Sequence, residues 1–255
     1  MFPWRYGLSQ LPFLPFAQVA DLGGLPLLDW LVATIGCGAL TALRDRRALP
    51  AIAAALALVV PVLYGTARLP MVRAEREAAP RLAVGIAQPN VSIEEKHDPR
   101  RFVAQLRLLQ EQTRALEAEG AELVVWPETA YRFPIRRSLA RDREGPLALL
   151  GEGVRGPLIV GVITTAGTPH RYLARDEYET IAGSFEMAEE ERYNSAIALA
   201  RDGRIVGIAD KVHLLAFGEY TPLWEVIPWL HVFPRGLIPG RGGQILEVAG
   251  ARVGI

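Results

Sequence analysis

The hydrophobic pattern divides the chain into two textures. From Leu22 to Leu43 the only charged residue is Asp29, and from Ala48 to Ala67 there is none. Crossing a bilayer takes about 20 mostly apolar residues, so each stretch is long enough. Neither keeps the polar face of a soluble surface helix. The pattern predicts two membrane-spanning helices, over 22–43 and 48–67, inside a membrane region covering 1–72. Pro50 falls at the start of the second helix, where proline is tolerated, and Pro61 lies inside it and predicts a kink. Two buried helices of a soluble core are the competing reading.

The residues before Leu22, "MFPWRYGLSQLPFLPFAQVAD", lack the basic start, compact apolar stretch and cleavage site of a secretory signal. They read either as a re-entrant or interfacial segment, with Trp4 and Tyr6 at head-group level, or as a plain loop. The turn Arg44-Asp45-Arg46-Arg47 favours the cytoplasmic side, which would put the rest of the chain outside. Arg68, Arg73 and Arg76 after the second span weigh against that assignment.

After Pro80 the pattern alternates between periods of two and 3.6. "RLAVGIAQPN" predicts a strand. Asp98 to Gly120 predicts an amphipathic helix, with Phe102, Leu106, Leu109, Thr113 and Leu116 on one face. "AELVVWPE" predicts the next strand, Glu144 to Leu150 a short helix, and "PLIVGVITT" another strand. "YNSAIALARDGRIVGIADK" reads as a hairpin turning at Arg-Asp-Gly, and "GQILEVAGARVGI" as a second hairpin around Ala249-Gly250. Arg171 to Arg192 is polar and acidic and reads as a surface insertion. This order gives an α/β layered domain with a mixed sheet over 80–255.

Charge and composition narrow the chemistry. There are 28 basic and 28 acidic residues, so nothing points to nucleic acid as a partner. One cysteine, Cys37, excludes a disulfide framework, and the four histidines lack metal-ligand spacing; no metal or cofactor is expected. Cys37 sits in an apolar span where a thiolate is disfavoured. Two places stand out. In "AELVVWPETA" a buried strand stops at Pro127 and delivers a carboxylate, Glu128, where α/β sheets gather ligands. In "ADKVHLLAFGEYTPL" another strand ends at Lys211 and is followed by His213, Glu219 and Tyr220 in an apolar run. A lysine in a low-dielectric pocket stabilises a developing oxyanion, and a carboxylate whose pKa is raised by burial can act as general base. Taken singly, each of these residues reads as an ordinary cap, pair or strand end.

Together these motifs resemble the nitrilase (carbon-nitrogen hydrolase) superfamily, whose members use a Glu-Lys-Cys triad on an α-β-β-α sandwich. Trp126-Pro127-Glu128 matches its "WPE" motif, and Asp210 to Pro222 matches "DK.HL.PFGEY.P". Placed after membrane helices, and with "FPW", "GIAQPNV" and "FPRGLIPGRG", the chain resembles the apolipoprotein N-acyltransferase family. The resemblance implies an incomplete nitrilase-like sandwich preceded by transmembrane helices. It also implies a multi-pass protein of the bacterial inner membrane with its catalytic domain on the periplasmic side. A phospholipid would be the acyl donor and an apolipoprotein the acceptor. Glu128 would be the general base and Lys211 the oxyanion stabiliser, with Glu219, Trp126, Phe217 and Tyr220 supporting them around the pocket. The nucleophilic cysteine is expected just after Ile255, beyond this chain, which therefore reads as a fragment without acyltransferase activity of its own. His97 stands where the family often has a tryptophan. A membrane-tethered amidase or nitrilase shares the triad, and a degenerate, non-catalytic domain shares the missing nucleophile.

Overall fold

The computed structural model describes residues 5–167, 191–223 and 236–255. The chain divides into two compact units, Met1–Arg81 and Leu82–Ile255.

In the first unit a short 3-10 turn, Tyr6–Gln10, precedes α1 (Leu14–Ala17), α2 (Ala20–Asp45) and α3 (Ala48–Ala78). The two long helices are apolar and long enough to cross a membrane. Both overrun the stretches read from the sequence, because arginines and glutamates extend a helix as readily as leucine does. Near its start α2 bends where Gly23 and Gly24 leave helical geometry, the latter at φ 64. Pro26 follows, and its missing N–H falls where the first turn after the bend has no acceptor to offer. Pro61 and Pro70 lie inside α3. Phe16, Val19, Leu28, Leu31 and Ala57 form the buried contact between the helices. Gly65 is required there: a Cβ on it would meet the Pro15 carbonyl oxygen at 1.8 Å. The charge inside the first apolar stretch is paired, since Asp29 accepts from the Gly7 N–H at 2.7 Å and from Arg5 at 3.2 Å. Tyr6 is exposed. Trp4 lies outside the described residues.

The second unit is built on a six-stranded mixed sheet of β1 (Val84–Ile86), β2 (Leu123–Val125), β3 (Tyr131–Arg136), β4 (Leu158–Ala166), β5 (Glu191–Leu199) and β6 (Ile205–Asp210). Strands β1, β2 and β4 run parallel, and β4, β5 and β6 are antiparallel neighbours. Helices α4 (Ile93–His97) and α5 (Phe102–Ala118) connect β1 to β2. A two-stranded sheet, β7 (Ile245–Val248) and β8 (Ala251–Gly254), turns at Ala249 and Gly250, both with positive φ.

Side chains alternate across the large sheet and separate two cores. One face packs Val160, Val162, Ile197 and Leu199 with Leu106 and Leu109 of α5. The other packs Ile159, Ala198 and Ala209 with Leu246 and Val248 of the small sheet. Among the described residues the layers are therefore helix, sheet, sheet, which is the α/β layering expected with its last layer not represented. Two readings need correction. No helix forms over Glu144–Leu150, because the Asp142 carboxylate takes the N–H groups of Arg143, Leu149 and Leu150 and holds turns instead. Strand β3 was not anticipated, although Tyr131, Phe133 and Ile135 are buried in strict alternation. The polar stretch Arg171–Arg192 lies outside the described residues except for Glu191 and Arg192, which begin β5.

Candidate active site

Glu128 owes its position to an interruption in a strand. Strands β2 and β3 both pair with β4 on the same edge: Val125 lies opposite Ile159 and Tyr131 opposite Val162. Six steps along the chain match three along β4, so the intervening residues loop out. The chain therefore does not leave the sheet at Pro127, as a strand ending there would; it makes a turn and rejoins the same neighbour. Gly161 of β4 lies directly beneath that turn. A Cβ on Gly161 would meet the Pro127 carbonyl oxygen at 2.3 Å and the Glu128 Cα at 2.7 Å. Thr129 closes the turn at φ 49, and Ala130 N–H donates to the Pro127 carbonyl.

Trp126 anchors the turn from the core side. The sequence reading put it around the pocket; it is buried, 2% exposed, with its indole N–H donating to Thr113 Oγ1 at 2.8 Å. Its neighbours are core residues of the helix-covered face. Trp126 therefore anchors, from within the core, the turn that carries Glu128.

The two predicted motifs converge. Lys211 Nζ lies 2.9 Å from Glu128 Oε1 and 3.0 Å from Glu219 Oε2. Asn194 of β5, which sequence reasoning missed, donates from Nδ2 to Glu128 Oε1 at 2.6 Å and to Glu219 Oε1 at 2.7 Å. The register explains its presence, since Lys211 N–H donates to the Asn194 carbonyl at 2.8 Å. Asn194 stands two residues into "YNSAIAL", where the alternation turns a polar side chain toward a face otherwise lined by alanines; that was the signal. Glu219 is the better shielded of the two carboxylates, 13% exposed against 59% for Glu128. Its Oε2 also accepts the Leu215 N–H at 2.7 Å. Residues 236–240 brace this loop: Leu237 N–H donates to the Glu219 carbonyl and Gly240 N–H to the Lys211 carbonyl. Phe217, at φ 61, and Tyr220 flank Glu219 with their rings exposed to 56% and 36%. Among the described residues His213 makes no hydrogen bond or ion pair with this cluster, and His97 bonds back to the Ile93 carbonyl of its own short helix.

The electrostatics differ from the sequence expectation in one respect. On balance the Glu128 pKa is lowered, not raised. Hydrogen bonding from Lys211 dominates, partial burial opposes it, Asn194 adds to it, and the carboxyl is held below the usual glutamate range. For Lys211, burial disfavours the charge, but the hydrogen bonds to Glu128 and Glu219 outweigh it and the ammonium sits above the usual lysine range. At neutral pH the cluster is a carboxylate, an ammonium and a second carboxylate. It can accept a proton at Glu128 and offer a positive charge to an oxygen that becomes negative.

A second network lies on the opposite face of the same strands. Arg137 grips Asp210 with two bonds, 2.7 and 3.0 Å, and Ser195 Oγ donates to Asp210 Oδ1 at 2.8 Å. Arg137 also stacks 4.4 Å over the Tyr193 ring. Asp210 precedes Lys211, so this network fixes the strand end from which the ammonium projects. Gln244 links the site to the small sheet: its side chain accepts the Asp210 N–H at 3.1 Å, and its carbonyl accepts the Ile255 N–H at 3.0 Å. Cys37 lies on α2 in the first unit, whereas Glu128, Lys211 and Glu219 belong to the second.

Comparison with known proteins agrees with the motifs. No family model matches the chain. The apolipoprotein N-acyltransferase of Azotobacter vinelandii is 36% identical over 91% of this chain and 40% of its own length. That of Pseudomonas syringae pv. tomato is 33% identical over 93% of the chain and 41% of its own length. That of Sinorhizobium medicae is 27% identical over 98% of the chain and 46% of its own length. The chain thus spans less than half the length of these curated relatives. Over nearly all of its own length the chain is similar in sequence to a portion of the apolipoprotein N-acyltransferases.

Proposed function

We propose that this chain carries the general base and the oxyanion-stabilising cation of an enzyme that moves a fatty acyl group from a membrane phospholipid to the N-terminal diacylglyceryl-cysteine of an apolipoprotein. The observation that supports it is the Lys211 ammonium held between two carboxylates, 2.9 Å from Glu128 and 3.0 Å from Glu219. In the first half-reaction Glu128 takes the proton of a cysteine thiol, and the thiolate adds to the ester carbonyl. Lys211 stabilises the resulting oxyanion. The carbon–oxygen bond breaks, the lysophospholipid alcohol leaves with the proton from Glu128, and a thioester remains. In the second half-reaction the acceptor amine adds to the thioester and gives its proton to Glu128. The thiol leaves, reprotonated, and an amide has formed. Asn194 and Glu219 hold Lys211 and Glu128 in register throughout.

The nucleophile belongs just after Ile255. Ile255 is tied to Gln244, and Gln244 to Asp210, the neighbour of Lys211. These contacts support a nucleophile that would follow β8 near the strand end carrying Lys211. The helices α2 and α3 would anchor the protein in the inner membrane, where both lipid-bearing substrates reside, with the catalytic domain on the periplasmic side. The test is the gene product read beyond codon 255, incubated with phospholipid labelled in its acyl chain. A hydroxylamine-labile acyl adduct that Lys211→Met abolishes supports the proposal. Release of ammonia from small amides without such an adduct would replace it with an amidase. A stop codon directly after Ile255 would make the chain a non-catalytic relative.

A further inference from the structure

A cleft of about 200 Å³ opens between the loops that follow β1 and β2, lined by Gln88, Asn90, Lys96, Gln105, Glu128 and Thr129. It lies at the C-terminal ends of two parallel strands, where α/β sheets collect ligands. The acid of the candidate active site forms one wall. Lys96 forms the other, reaching the main-chain carbonyl of Glu128 at 3.2 Å. The Glu128 carboxylate itself is engaged by Lys211 and Asn194. The lysine therefore meets the backbone side of the turn.

Lys96 makes no ion pair with a carboxylate among the described residues, and neither does its neighbour Arg132. The Arg132 guanidinium donates to the Thr129 carbonyl at 3.4 Å and stacks 5.2 Å over Phe102, and its Nε is buried with no partner. Two other half-buried cations of this unit behave differently: Lys211 touches two carboxylates and Arg137 holds Asp210 with two bonds. Two partly desolvated cations side by side, satisfied only by carbonyls and a ring, repel each other and are costly without a counter-charge. Burial, then the Arg132 charge, push the Lys96 ammonium below the usual lysine range, with Glu128 opposing them.

We infer that this cleft binds a phosphoryl anion, with Lys96 as its direct contact and Arg132 supplying the second positive charge. A lysine suits phosphate as a point charge. The inference rests on the proposed function only for the source of the anion: there it would be the phosphodiester of the donor head group, which would hold the acyl ester beside Glu128 and Lys211. Free phosphate has the same chemistry.

The test is calorimetric titration of the full detergent-solubilised chain with glycerophosphoglycerol, a water-soluble phosphodiester, and separately with inorganic phosphate. Lys96→Met is expected to weaken binding about tenfold or more, the worth of one charge-assisted contact. Lys96→Arg is expected to restore most of it, and Arg107→Gln, an exposed charge on α5, to leave it unchanged. Tighter binding of the diester than of phosphate identifies a head-group site; equal or tighter binding of phosphate identifies a free-anion site. Binding of both probes that ignores Lys96→Met, or no binding at millimolar concentration, overturns the inference. If Lys96-dependent binding persists while the gene product read beyond codon 255 transfers no acyl group, the functional proposal fails and the anion site stands.

Discussion

Replacing Gly161 by alanine tests how the fold places Glu128. The new methyl carbon would begin 2.3 Å from the Pro127 carbonyl oxygen, 2.7 Å from the Glu128 Cα and 2.8 Å from the Thr129 nitrogen. Ordinary contact starts at 3.4 Å, so the turn must retreat by about 1 Å. Every atom met is backbone, and no rotamer change relieves the clash. The overpacking is expected to cost about 1–3 kcal/mol of stability. The larger effect is on geometry. The Glu128–Lys211 contact is 2.9 Å, and a displacement of about 1 Å along it takes the pair out of hydrogen-bonding range. The Lys211 hydrogen bond is the main reason the Glu128 pKa is low, so its loss returns the titration toward the usual glutamate value of 4.5. The assay is carbon NMR of side-chain-labelled glutamate across pH 2–7, with the Glu128 signal assigned by its absence in Glu128→Gln, alongside denaturant unfolding. Wild-type protein is expected to titrate below 4.5 and Gly161→Ala closer to it. An unchanged midpoint together with unchanged stability would refute the claim that Gly161 sets the position of Glu128.

Four further outcomes follow from other contacts. Trp126→Phe removes the indole N–H that Thr113 accepts in a fully buried position; a loss of about 1–3 kcal/mol is expected in denaturant unfolding. Arg137→Met leaves Asp210, 8% exposed, without its counter-charge, and unfolding is expected to show about 3 kcal/mol of destabilisation. Asn194→Leu removes the donor shared by both carboxylates, and the same NMR titration is expected to show the Glu128 midpoint moving up. The pH dependence has two limits. Glu128 is lowered, so its stabilisation is present above the unfolded value of 4.5 and fades as pH falls through its folded value; Lys211 is raised, so its share is present below 10.5 and fades as pH rises through its folded value. Lys211→Met is expected to abolish the alkaline contribution and weaken the acid one, where the Asn194 hydrogen bond persists, in a comparison of unfolding across that range.

The strands that were easiest to read, β4 to β8, are largely apolar and β-branched runs, and β5–β6 and β7–β8 are joined by Gly-containing turns; each of those signals acts locally. Strand β3 was harder, because Pro134 and the arginines at 132 and 136 argue against a strand locally while the alternation of Tyr131, Phe133 and Ile135 argues for one. Burial against α5 decides, and burial is a long-range property. The stretch at Glu144–Leu150 went the other way: an upstream carboxylate, Asp142, captured its N–H groups. Glu128, Lys211 and Glu219 were visible as charges set in apolar surroundings. Asn194 was not, because its role exists only once β5 lies beside β6 and the two motifs meet over it. Trp126 lies apart from the cluster because the chain loops out of the sheet after β2: Trp126 stays with Val124 in the helix-covered core, and Glu128, two residues on, projects to Lys211.

The two polar networks also bear on how the sheet finds its pairing. On β5, Asn194 serves the Glu128–Glu219 cluster and Ser195 serves the Arg137 cluster; on β6, Lys211 and Asp210 divide the same way. Opposite signs thus alternate along one strand end, one residue apart. A slip of β6 by a single residue would exchange the faces of its side chains. Lys211 would then confront Arg137, and Asp210 would confront Glu128 and Glu219. Each misplaced charge would meet its own sign in a partly dry setting. Hydrophobic alternation alone penalises such a slip only in part, because Gly207 and Ala209 bring little side chain to either face. The charges supply the missing discrimination, so the residues placed to do chemistry also proofread the assembly of the strands that carry them.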